Sequence, residues 1–213
     1  MDLGTILDIN FLDSISFESS LNTNLANFSM SKFDIISDFE KVKKDIKFIS
    51  NKSTKVLFSK GLNYRFKSLS STELKIQKYK ANVRKAQLCF NDLIGVRIVV
   101  DSFETLVIPN YFKVLDLRYG KKQDDGYRAV HLYYIKSNRH YPIEIQIWES
   151  RDALFYNWQH TYCYKKESLE TMRALRYRFD TGIIQTEVDF LRELNILHCC
   201  EYVKTDLLNI NKE

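Results

Sequence analysis

The sequence predicts an α+β fold in which helices precede and follow a mixed sheet of about four or five strands. Three observations carry that prediction. Phe33, Ile36, Phe39, Val42, Ile46 and Ile49 recur at three and four residues, the stripe of an amphipathic helix. The middle of the chain then switches to strand-like runs, an apolar one from Leu93 to Val100 and an alternating one in PIEIQIW. From about residue 150 the period is helical again.

Taken in order, residues 1–30 mix Ser, Asn and Asp with scattered Leu and Phe and show no period, which reads as a loose lead-in. The first helix begins near Ser31 and carries Lys41, Lys43, Lys44 and Lys47 on its polar side. NYRFKSLSSTELKIQKYKANVRK follows as a strongly basic stretch. The run from Leu93 to Val100 is apolar apart from Gly95 and Arg97, the pattern of a strand buried on both faces. Asp101 and Ser102 can cap a short helix over 103–108, ending near Pro109. Strands at about 127–136 and 141–148, joined by KSNRH, read as a hairpin. In the second of them Ile143, Ile145 and Ile147 share one face, and Glu144, Gln146 and Trp148 the other. ESRDALFYNWQHTYCYKK is helical with Leu154, Trp158 and Tyr162 in line, and 167–208 is helical with Ile184, Val188 and Leu191 in line. This divides the chain into a lead-in (1–30), a main domain (31–166) and a helical extension of it (167–213).

Composition narrows the class. With 45% hydrophobic residues, 13 Tyr and 14 Phe, the chain is not of the disordered type. A net charge of +5 mildly favours anionic or phosphorylated partners. The four cysteines, Cys89, Cys163, Cys199 and Cys200, lack C-x-x-C spacing, which favours a reducing compartment; Cys199 and Cys200 are assigned to helix packing. The start carries acidic residues in place of a basic leader, and no apolar run approaches the roughly 18 residues of a span. Neither export nor membrane insertion is expected, and the location reads as cytoplasmic.

Charges threaded through the sheet are the anomaly: Asp92 and Arg97, Arg128 and His131 in DDGYRAVHLYY, and Glu144. An unpaired buried charge costs several kcal/mol, so each needs a partner, a ligand or an open face. Singly, each has a plain explanation. Glu144 and Gln146 suit the wet side of a half-buried strand, His131 a hydrogen-bonded structural histidine, and the RFKSLSSTELK run a solvated helix face. Together, two carboxylates arriving on neighbouring strands can hold Mg²⁺, with lysines and arginines meeting phosphates. Period two sets His131 with Ala129 and Tyr133, and Arg128 on the opposite side.

YRFKS, SSTELK, DLIGVRIVV, GYRAVH, EIQIWE and NWQHTYCYKK resemble, in order and rough spacing, the synthetase domain of RelA/SpoT-type alarmone synthetases, over about residues 60–166. The resemblance implies a nucleotidyltransferase-like mixed sheet and transfer of the β,γ-pyrophosphate of ATP to a ribose 3′-hydroxyl. Residue by residue, it implies that Arg65 and Arg97 sandwich the adenine and that Lys67, Ser71 and Lys75 hold the ATP phosphates. It makes Asp92 the Mg²⁺ ligand, and Glu144 the group that polarises the hydroxyl and also touches the metal. Tyr127 would stack on the acceptor base, His131 would meet its phosphates or ribose, and Lys121 or Lys122 would form a positive gate.

Two acceptors follow from the resemblance. One is the 3′ CCA end of tRNA, as in toxic small alarmone synthetases of toxin-antitoxin pairs, which would add an antitoxin protein as partner. The other is GDP or GTP, yielding (p)ppGpp. Where the family usually has EIQIRT this chain has EIQIWE, and Trp148 and Glu149 subtract positive charge. A terminal adenosine carries no 5′-diphosphate, so that loss favours tRNA. Lys43, Lys44 and Lys47 on the early helix and Arg173, Arg176 and Arg178 on the late one are then candidates for the RNA backbone. A catalytically silent nucleotide or RNA sensor is the reading from another class, and intact Asp92 and Glu144 weigh against it.

Overall fold

The computed structural model describes residues 1–163 and 166–210, with side chains up to residue 199. The chain divides into two units, the first comprising residues 1–116 and 130–149, the second 117–129 and 150 onward. The expected boundary at 166–167 therefore falls inside the second unit.

The first unit is built on a five-stranded mixed sheet of β1 (Asn63–Phe66), β2 (Ile94–Val100), β3 (Phe112–Asp116), β4 (Val130–Tyr134) and β5 (Ile143–Glu149). The strand order is β1-β2-β5-β4-β3, with β2 and β5 parallel and every other pair antiparallel. The predicted hairpin is β4–β5. Ile94, Val96 and Ile98 of β2, Leu132 of β4, and Ile143, Ile145 and Ile147 of β5 bury one face in the core. The opposite face carries Arg65, Gly95, Arg97, His131, Tyr133, Glu144 and Gln146 in register. β2 is thus not buried on both faces as expected: Val99, on that opposite face, is 46% exposed. An apolar side chain on the open face made an alternating strand look continuous.

Residues 1–30 are not a loose lead-in. They form α1 (Leu3–Ile6) and α2 (Ile9–Ile15), capped by Asp2 and Asp8, whose carboxylates accept from the amides of Gly4 and Phe11. Leu3, Leu7, Leu12, Leu25 and Met30 are fully buried. The segment is pinned through the buried Asp45, which accepts from the Ser20 amide (2.9 Å) and the Tyr141 hydroxyl (2.8 Å). Two helices this short cannot display a period, which is why the sequence showed none.

Asp45 lies on α3 (Ser37–Ser59), which starts after the apolar stripe does: Asp34 accepts from the amides of Ile36 and Ser37, and Ile36 is 81% exposed. α4 (Leu69–Ala81) is capped by Ser68, and α5 (Ala86–Cys89) leads toward β2. A single 3-10 turn, Phe103–Thr105, replaces the expected helix at 103–108. The edge strand β3 was not anticipated, and only its Phe112 is buried.

The second unit contains α6 (Ser150–Trp158) continued by a π-helical turn (Gln159–Cys163), then α7 (Leu169–Asp180) and α8 (Glu187–Ile210). Phe155, Leu175, Phe179, Ile184 and Phe190 form its core. Leu154 and Val188, expected to face inward, are exposed; Asp152, Phe155, Gln159 and Cys163 are the buried row. Two polar residues sit on that row, so the apolar pattern pointed to the wrong stripe. Cys199 is exposed, contrary to its assignment to helix packing, and the side chain of Cys200 lies outside the described residues. No described helix is long and apolar enough to cross a membrane.

Candidate active site

Two cross-strand rows organise the open face. One runs Arg65, Gly95, Glu144, Tyr133; the other runs Asn63, Arg97, Gln146, His131. Gly95 is the clearing in the first of them. A Cβ at this position would stand 3.0 Å from Cγ and Nε of Arg65, so glycine gives Arg65 the room to lie across the sheet as it does. A cavity of about 390 Å³ opens there, lined by Asn63, Tyr64, Arg65, Gly95, Val96, Arg97 and Gln146.

Arg65 reaches over Gly95 to Glu144, its Nη2 donating to Oε2 at 3.2 Å. Glu144 is only 4% exposed and is the best-supported group on this face. Its Oε2 also accepts from Gln146 Nε2 (3.0 Å), while its Oε1 accepts from the Tyr133 hydroxyl (3.3 Å) and sits 3.0 Å from His131 Nδ1. Burial pushes the carboxyl up, but His131 and Arg65 outweigh it and hold Glu144 below its ordinary value. Burial and the Glu144 charge raise Tyr133 well above the usual phenol, which keeps it a proton donor. Period two places Tyr133 and Gln146 on this face, but nothing in the sequence gives either a part in holding Glu144.

Asp92, in the turn before β2, forms the second carboxylate centre. Lys67 Nζ donates to Oδ2 (2.7 Å) and Lys75 Nζ to Oδ1 (2.8 Å), and Lys75 also reaches Asn91 Oδ1 (2.7 Å). Burial opposes ionisation of Asp92, yet the two lysines keep it below the ordinary value. Its charge is felt at Glu144, where it acts to raise the carboxyl. Ser71 lies exposed in the first turn of α4, its amide held by Ser68 Oγ.

The donor set can be tested for Mg²⁺. Each Asp92 oxygen accepts one hydrogen bond among the described residues, which leaves lone pairs for a hard cation and for waters. Glu144 does not fit as a ligand in this arrangement. Arg65, Gln146, Tyr133 and His131 already surround its two oxygens, so proton uptake and metal contact alike need one of them to move away.

Arg97, the other expected half of an adenine sandwich, lines the cavity, and its guanidinium carbon lies 4.0 Å from the ring centroid of Trp148. Trp148 is therefore turned to Arg97, and Glu149 accepts from the Phe103 amide at 2.8 Å, capping the 3-10 turn. Neither simply removes charge beside an acceptor, as expected from the sequence. Lys43, Lys44 and Lys47 line a groove of about 480 Å³ together with Phe66, Lys67 and Ser68. Lys43 is also paired with Glu40 at 2.6 Å.

The second unit holds the remaining expected residues. Gly126 has φ +80°, and a Cβ there would meet Arg176, Gln159 and Phe155 at 3.1–3.2 Å. Tyr127 is buried, its ring 5.3 Å from that of Tyr156, and the Lys121 ammonium lies over it at 4.7 Å while pairing with Asp125 (2.6 Å). Lys122 is exposed. Arg128 grips Asp124 with both terminal nitrogens (2.7 and 2.9 Å), so it braces the turn.

Arg176 and Arg178, expected as candidates for the RNA backbone, are engaged in ion pairs within the protein. Arg176, its side chain 11% exposed, pairs with Asp152 (2.5 Å) and Asp180 (2.9 Å) and donates to the Gly126 carbonyl (3.4 Å). Arg178 pairs with Glu193 at 2.9 Å. Arg173 donates to the Asp124 carbonyl at 3.0 Å. All three lie on one helix, and most of their carboxylate and carbonyl partners come from distant parts of the chain, which no local charge pattern reveals.

No family model matches the chain, and no curated protein does. Among solved structures the chain is similar to small alarmone synthetase 1 from Bacillus subtilis, at 15% identity over 78% of this chain and 94% of that one, with a TM-score of 0.37. It is similar to small alarmone synthetase 2 from the same organism, at 16% identity over 82% and 96%, with a TM-score of 0.36. A GTP pyrophosphokinase family protein from Streptococcus pneumoniae is likewise similar, at 15% identity over 83% and 92%, with a TM-score of 0.38.

Proposed function

We propose that this protein is a pyrophosphokinase that transfers the β,γ-pyrophosphate of ATP to a ribose 3′-hydroxyl. The observation that carries the reading is Glu144: a buried, ionised carboxylate one strand from Gly95 in the row whose next member, Arg65, lines the cavity. In the reaction the 3′-hydroxyl oxygen bonds the β-phosphorus, the α,β-anhydride bond breaks, AMP leaves, and Glu144 takes the hydroxyl proton. Arg65 and Arg97 suit the adenine because guanidinium planes stack on flat rings. Arg65 is 45% exposed and tied to Glu144 at one end, so its move onto the base vacates one lone pair of the carboxylate. Lys67, Lys75 and the Ser71 hydroxyl would meet the phosphates. Mg²⁺ held through Asp92 would neutralise phosphate charge there.

The acceptor we propose is the 3′ end of tRNA, with the protein acting as a translation-inhibiting toxin restrained by an antitoxin. Lys43, Lys44 and Lys47 support it, since they line the groove that Lys67 shares, and Lys67 in turn binds Asp92. Tyr127, His131, Lys121 and Lys122 are the acceptor-side residues of this reading. A second reading, GDP or GTP as acceptor with (p)ppGpp as product, is favoured by the placement of Trp148 and Glu149, which removes the charge argument against a diphosphate. Incubation with Mg²⁺ and γ-labelled ATP, with deacylated tRNA, GDP or GTP in parallel, separates them. Label on tRNA, reduced when Lys44 and Lys47 are both changed to Glu, is the expected result. Label on guanosine nucleotides alone establishes the second reading, and label transferred to none of them overturns both.

A further inference from the structure

Trp148 is a residue of the open face that the reaction above does not use, and it is large, aromatic and 1% exposed on a strand whose neighbouring positions on that face are Glu144 and Gln146. Its ring lies on the guanidinium of Arg97, with 4.0 Å between the guanidinium carbon and the ring centroid. Arg97 has a long side chain, and the next position on its side of β2 is Gly95, which offers no side chain to lean on. The indole supplies what the glycine cannot: a flat, rigid surface that fixes the plane of the guanidinium. Arg97 is thus backed by Trp148 and also lines the cavity that Arg65 borders from across Gly95.

We infer that Trp148 is a positioning residue that sets the Arg97 plane before the donor nucleotide arrives. The ring-binding wall is then a two-layer stack, indole on guanidinium, and a purine becomes its third layer. This rests on the reading of the cavity as the ATP slot. A flat base gains from a wall whose orientation is already fixed, because the ordering of an arginine side chain is removed from the cost of binding.

The test uses the full chain with Trp158 changed to Phe, so that Trp148 is the one remaining tryptophan of the two in the sequence. Titration with a non-hydrolysable ATP analogue is expected to change Trp148 emission saturably, and Arg97→Met is expected to abolish the change. Trp148→Leu is expected to raise the KM for ATP about 5- to 30-fold, the range of a desolvated cation–π contact, with kcat little altered. Trp148→Phe should recover part of that loss. If Trp148→Leu does not fold, the emission titration and Trp148→Phe still decide. Analogue binding with unchanged emission, or a KM for ATP indifferent to residue 148, overturns the positioning role while leaving the ATP slot standing. An analogue that does not bind the unaltered protein at all overturns the slot and the inference with it.

Discussion

The β1–α4 stretch of the first unit and helix α7 of the second are both basic, and one arginine from each, Arg65 and Arg176, ends in an opposite situation. Arg65 is tied at one end to Glu144 and is 45% exposed along a cavity, while Arg176 is 11% exposed and gripped by two carboxylates and a carbonyl. The first can leave its partner at little cost and the second cannot. A basic run in a sequence therefore says that anions will be met, and the burial of the pair says whether the cation remains available for a ligand.

The sharpest way to break the comparison is to remove the chemistry from the first region. Glu144→Gln is expected to lower kcat by about 10²- to 10⁴-fold while binding of a non-hydrolysable ATP analogue persists, read as AMP release against calorimetric binding. Turnover close to that of the unaltered protein would reduce Glu144 to a structural anchor. Next in size, Arg176→Ala should cost about 3–5 kcal/mol in urea unfolding, since it breaks a largely buried ion pair with Asp152, whereas Arg65→Ala, which leaves Glu144 its contacts with His131, Tyr133 and Gln146, should cost about 1 kcal/mol or less. Equal losses would erase the distinction drawn between the two arginines.

The smallest effect is on the pH axis. Asp92 is held below its ordinary value of 3.8, so its ion pairs with Lys67 and Lys75 contribute fully above that pH and are lost as the pH falls through the lower folded-state value. The difference in Tm between the unaltered protein and Asp92→Asn should therefore be widest above 3.8 and close at lower pH. A difference constant across the acid range would mean that the lysines do not depend on the Asp92 charge.

Much of this site is legible in the residues alone. Period two in PIEIQIW places Glu144 away from the isoleucines, and the same rule puts His131 and Arg128 on opposite sides, as the first unit shows for His131 beside Glu144. Local signals fail where the relevant neighbour is far along the chain. Arg176 meets Gly126 and Asp152, residues 50 and 24 positions away, and Asp45 anchors Ser20 and Tyr141. They fail too where elements are short: α1, α2 and β3 carry too few residues to show a period.

By itself the sequence determined the α+β class, the β4–β5 hairpin and the faces on which Glu144, Gln146 and His131 lie, because backbone geometry imposes periods of 2 and 3.6 on any chain that must bury one side. Only the tertiary structure decided that Trp148 lies under Arg97, that Arg65, His131, Tyr133 and Gln146 surround Glu144, and that Arg176 braces a turn. Those outcomes depend on which strands become neighbours and on which carboxylates reach which cations, and pairings across long sequence separations leave no trace in local pattern.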